Sequence, residues 1–215
     1  MRIQMKSFAV LCLVLTLAIA SIAQTVSVPA APTSLTAEER EKALASLQAT
    51  HDAFLKSIAG LSEKQWRFKS APDRWSVAEV SEHIGLSESM IFGMVQSRVM
   101  TSPAAPEKRA EVAGRDEMIL KMVPDRSHKA QAPEFLKPTN RWANEADLTK
   151  TFEDSRKATM DYVRTTNDDL RDHFGPHPVF GTLDAYQWIL LISAHSERHT
   201  KQIEEVKADP NFPKD

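Results

Sequence analysis

The sequence predicts an all-α protein built as a four-helix bundle, on three observations. Four long stretches place apolar residues at three- and four-residue steps, the period of a helix with one buried face. Two of those stretches begin at a Ser/Thr-x-x-Glu capping box, in which the side chains at each end satisfy amides that a helix start leaves without partners. No stretch of any length alternates apolar and polar residues as a half-buried strand would, and there is no internal repeat. With 215 residues, the chain is long enough for one well-buried core and short of two, so one domain is expected.

Residues 1–23 read as a secretory signal peptide. Arg2 and Lys6 precede an apolar run from Phe8 to Ala20, and Ser21-Ile22-Ala23 supplies small residues for cleavage before Gln24. A run of about a dozen apolar residues is short against the roughly 20 that span a bilayer, so no stable membrane span is expected after cleavage. The single cysteine, Cys12, lies within that run behind Leu11, a poor context for lipidation. The mature chain would therefore have no disulfide, thiolate ligand or cysteine nucleophile. Losing Arg2 and Lys6 from 27 basic residues leaves them outnumbered by 29 acidic ones, which gives no support to nucleic acid as a partner. The protein is expected to be exported, either periplasmic or secreted.

Residues 24–35, rich in Pro, Ala, Ser, Thr and Val, read as a flexible lead-in to a domain at 36–208. The first helix starts at the box Thr36/Glu39, and its stripe of Leu44, Leu47, Phe54 and Ile58 includes His51. A polar connection through Gly60, Ser62 and Pro72 leads to the box Ser76/Glu79 and a second helix to about Val99, with Val80, Ile84, Ile91 and Met94 inside and His83 and Ser87 among them. Glu79 is explained by capping. From Thr101 to Asn144 the periodicity weakens, apart from a short helix near Arg115 to Met122, and the segment is too long for an ordinary bundle loop. A third helix is expected over about Glu145 to Leu170 on Leu148, Phe152, Thr159, Val163 and Leu170. A fourth begins near Thr182 and reaches about Lys207, on Trp188, Ile192, His195, His199, Ile203 and Val206, before Asp209-Pro210 opens a tail at 209–215.

His195 and His199 are four apart, so both imidazoles can reach one ion from a single helix face. The third member follows from levels along the bundle. At about 1.5 Å of rise per residue, His83, seven residues from Ser76, shares the level of His195 and His199 if the second and fourth helices are antiparallel. If the third is antiparallel to the fourth, the second and third run parallel, which requires a connection as long as the bundle. The segment from Thr101 to Asn144 provides it, and the topology becomes up, down, down, up with one long crossover. At this level the third helix offers Ser155 and Thr159 beside the site, and His51 fits either as a fourth ligand or as a partner of one. His128, His173 and His177 are expected at the surface.

Three neutral imidazoles without a thiolate suit zinc, nickel, copper or iron, zinc and nickel foremost, and leave coordination positions for water or substrate. His195-Ser196-Glu197-Arg198-His199 is not the metalloprotease motif, because Glu197 is two positions after the first histidine and points away. No residue is identifiable as a catalytic base.

Trp75-Ser76-Val77-Ala78-Glu79-Val80 with His83-Ile84, followed by His195-Ser196-Glu197-Arg198-His199-Thr200-Lys201-Gln202-Ile203, resembles the DinB-like superfamily over about Thr36 to Val206. The resemblance places that family's three metal histidines on His83, His195 and His199. It implies a four-helix bundle with one divalent metal, often a homodimer, and either hydrolysis of a small-molecule substrate or thiol-dependent transfer. Export would separate the protein from cytosolic thiols and weighs against the second. The alternative is a non-catalytic extracytoplasmic module that binds metal or another ligand, and a metal-free bundle with structural histidines stands as a third reading.

Overall fold

The structure is a computed structural model that describes residues 34–129, 131–142 and 144–214. The signal peptide assigned to 1–23 and the lead-in as far as residue 33 lie outside the described residues. The described chain is mostly helical, with one small two-stranded sheet.

Helix α1 spans Ala37–Ile58 and opens on the Thr36/Glu39 capping box, with the Glu39 carboxylate accepting from the Thr36 amide at 2.8 Å. Leu35, assigned to the lead-in, is buried in the core. Gly60, at φ +71°, turns the chain out of the helix in a conformation that a side chain would strain. The connection that follows contains a short helix, α2 (Glu63–Trp66), capped by Ser62 and Gln65. Helix α3 spans Val77–Met94 behind the Ser76/Glu79 box and continues as a π turn over Val95–Val99.

The crossover carries a 3-10 turn over Pro106–Val112, helix α4 at Arg115–Met122 and a second 3-10 turn at Glu134–Leu136. Helix α5 spans Glu145–Thr165 and stops short of Leu170, because Thr166 leaves the helix with an extended backbone. Strands β1 (Phe174–His177) and β2 (Gly181–Asp184) form an antiparallel hairpin, with Phe174 opposite Asp184 and His177 opposite Gly181. The sequence reading contained no strand. Helix α6, expected from Thr182, spans Ala185–Lys207, since Asp184 ends β2 and caps the helix in a box with Gln187. Among the described residues no helix is long and apolar enough to cross a membrane.

The four long helices pack around a shared core. Ser46 of α1 meets Ser193 of α6 at 2.8 Å, and the Lys207 ammonium reaches the Ser57 carbonyl at 2.9 Å. Ser89 of α3 meets Ser155 of α5 at 2.8 Å, and Arg40 of α1 bonds the Val163 carbonyl of α5. One apolar cluster gathers Leu47, Ile91, Val95, Ile189 and Ile192; a second gathers Phe54, Ile58, Val80, Ile84, Phe152 and Ile203. A polar layer joins α1, α3, α5 and α6. Arg156, 1% exposed, holds Glu88 through two bonds of 2.6 and 2.8 Å. Its remaining donors reach Ser196 at 3.0 Å, Thr50 at 2.9 Å and the Leu47 carbonyl.

Candidate metal centre

His83 lies on the second turn of α3, and His195 and His199 lie one turn apart on α6. The three rings meet, with centroids 5.0 Å apart for His83 and His195 and 4.4 Å for each pair that includes His199. One ring nitrogen from each lies within 4.8 Å of the other two. His83 is buried, while His195 and His199 keep some surface. The indole of Trp75 packs on His83 with centroids 5.1 Å apart.

The protonation pattern follows from the partners. The Nδ1 of His83 is 2.9 Å from the Leu136 carbonyl oxygen, which can only accept, so Nδ1 carries the proton and Nε2 the lone pair. The Nδ1 of His199 is 2.8 Å from the Gln202 side-chain oxygen, with the same consequence. Burial holds the imidazoles of His83 and His195 below the usual range, the latter far below and with its two neighbours adding to the effect. Burial, reinforced by His83, takes His199 down to about 3. All three are neutral at neutral pH.

A divalent ion fits this donor set. His83 Nε2 and His195 Nε2 are 3.3 Å apart. Two imidazole nitrogens on one tetrahedral ion, at bonds of 2.0–2.1 Å, stand about 3.3–3.4 Å apart. The three histidines could thus form a metal site with nitrogen donors alone, and three ligands leave a position open.

His51 stands apart from this group, with its Nδ1 2.9 Å from Asp52 and its ring stacked on Phe152. Ser155 and Thr159, expected beside the site, have their hydroxyls engaged elsewhere: Ser155 with Ser89, and Thr159 with the Ser155 carbonyl at 3.1 Å. Thr159 is fully buried on that part of α5 together with Arg156, which the apolar stripe did not include. His128 is exposed as expected, but His173 and His177 are half-buried. His173 binds the Ser102 carbonyl at 2.6 Å, and His177, in β1, stacks on Phe180 and contacts the Trp188 ring of α6.

The carboxylates of α3 nearest His83 are occupied. Glu79 completes its cap and accepts from Lys69 at 2.7 Å. Glu82, 4% exposed, accepts from the amides of Thr139 and Asn140 at 2.8 Å each and so ties the end of the crossover to the helix. Sequence reasoning missed Leu136, Gln202 and Glu82. Leu136 acts through its carbonyl, which no sequence pattern marks, whereas Gln202 at three residues past His199 was a visible signal.

The uncharacterized protein YuaE of Bacillus subtilis (strain 168) is 26% identical over 150 residues, which cover 70% of this chain and 88% of that protein. The family model described as the DinB superfamily matches residues 46–203, a span that holds all three histidines and both groups orienting them; the chain belongs to the DinB superfamily.

Proposed function

We propose that this is an exported metal-dependent enzyme of the DinB superfamily that acts on a small molecule, with His83, His195 and His199 as the ligands of one divalent ion, zinc or nickel. The observation that carries the reading is the 3.3 Å approach of His83 Nε2 to His195 Nε2, in a cluster where the Leu136 carbonyl and the Gln202 oxygen leave the Nε2 lone pairs of His83 and His199 free. The reaction is hydrolysis in the first place and thiol-dependent transfer in the second. A divalent ion supplies Lewis acidity and lowers the pKa of a nucleophile in its open position.

The chain's own residues contribute binding and orientation. Neutral imidazoles donate without first losing a proton, and the Leu136 carbonyl and Gln202 oxygen keep the donor atoms facing one another. Glu79, Glu82 and Glu88 all have partners, so their carboxylates serve to hold α3, the crossover and α5 in place around the histidines. The separation of His51 from the group supports an open coordination position over the closed one that a structural module would use.

The topology that belongs to this reading is a four-helix bundle running up, down, down, up. It is supported by Ser46 with Ser193 and Ser57 with Lys207, which pair α1 and α6 in parallel, and by Arg40 with Val163 and Thr50 with Arg156, which pair α1 and α5 antiparallel. Export rests on Arg2, Lys6 and the run from Phe8 to Ala20.

Elemental analysis and intact-mass measurement of protein recovered outside the cytoplasm test the export and the metal centre on which this reading depends. The expected outcome is a chain whose intact mass begins at Gln24, with one transition metal per chain that is lost in His83→Ala and His199→Ala. Retention of metal by both variants, or none in wild-type protein after reconstitution with zinc or nickel, contradicts it.

A further inference from the structure

We infer that Arg126 and Gln202 are positioning residues of the histidine centre: the guanidinium fixes which way the Gln202 amide faces, and the amide oxygen fixes the tautomer of His199. The inference rests on the metal reading of the three histidines.

A carboxamide has nearly the same shape either way up, but one edge accepts and the other donates. With the oxygen toward His199 Nδ1, at 2.8 Å, the ring proton sits on Nδ1 and the Nε2 lone pair is free for the cluster. With the amide reversed, its NH2 would call for a lone pair on Nδ1 and move the proton to Nε2, which would remove a donor atom. Arg126 decides between the two. Its Nη1 lies 3.4 Å from the same oxygen, and a guanidinium has no acceptor, so the reversed amide would set donor against donor.

Arg126 is itself held in place. Its Nε and Nη2 form a two-pronged pair with Glu205 at 2.6 and 2.7 Å. Gln202 and Glu205 stand three and six residues beyond His199 on α6, whereas Arg126 arrives from the crossover. Arg198, on α6 beside His199, secures that stretch by donating to the carbonyls of Val123 at 3.1 Å, Asp125, and His128 at 2.6 Å. Together with the Leu136 carbonyl on His83, the long connection orients two of the three donor rings.

The test is zinc affinity, measured by competition with a chelating dye, for the full mature chain and its variants, with metal-free melting temperatures as the control for folding. Gln202→Leu is expected to weaken zinc binding by about 10- to 100-fold, the usual scale for losing the partner of a metal-bound histidine. Gln202→Glu should stay close to wild type, because a carboxylate accepts on either edge. Arg126→Leu should weaken binding in the wild-type background and have little effect beside Gln202→Glu, where there is no amide left to reverse. Wild-type affinity in Gln202→Leu, or an equal loss from Arg126→Leu in both backgrounds, overturns the positioning role. Absence of zinc binding by wild-type protein overturns the metal reading and this inference together, and so is distinguishable from the first two results.

Discussion

Three imidazoles kept neutral by burial have a consequence that does not depend on any metal. His199 is held down to about 3, and His83 and His195 are lowered as well, so in the folded state they take up protons later than in the unfolded chain. A histidine whose folded pKa lies below its unfolded value of about 6.5 makes the unfolded state the better proton binder as the pH falls. Its favourable contribution is complete above that pH and is lost on acidification toward the folded pKa. Each such group adds a slope of up to about 1.4 kcal/mol per pH unit in that window. Urea unfolding in the presence of a chelator should therefore show stability falling below pH 6.5, with a shallower slope for His199→Ala. Equal slopes would mean that His199 titrates as it does in the unfolded chain.

Among the elements, α5 departs furthest from a plain amphipathic helix. Its inner face carries Arg156 at the place where a bundle usually packs an apolar side chain, and α3 answers with Glu88. Taking two charges out of water is costly, and the pair tolerates it because Arg156 has partners for all its reach: Glu88, Ser196, Thr50 and the Leu47 carbonyl. Removing one charge leaves the other buried and alone. Arg156→Met should cost about 3–5 kcal/mol, and the double variant Glu88→Leu with Arg156→Met should recover much of that loss. Chemical denaturation of the three proteins measures the difference. A single variant as stable as wild type would show that water reaches Glu88. The pair also separates the two apolar clusters and sits beside the histidine level through Ser196, the residue after His195.

For the molecule as a whole, the sequence was most informative where a period or a cap carried the signal. The capping boxes at Thr36 and Ser76 stand as expected, and His83, His195 and His199 meet because each occupies an inward step of a helical stripe. What escaped was whatever depends on backbone or on distant partners. Strands of four residues containing Gly175, Pro176 and Gly181 have no room for alternation, so β1 and β2 were invisible. Leu136 orients His83 with a carbonyl, and Arg156 breaks its stripe because its counter-charge lies 68 residues away. His51 fitted the stripe of α1 but not the centre, since sharing a face and a level does not bring two rings to one point. X-ray absorption at the metal edge of the purified mature protein, reconstituted with zinc, tests the central claim most directly. Three imidazole nitrogens with at least one exchangeable water oxygen are predicted; four imidazoles, or a coordination unchanged in His83→Ala, would contradict it.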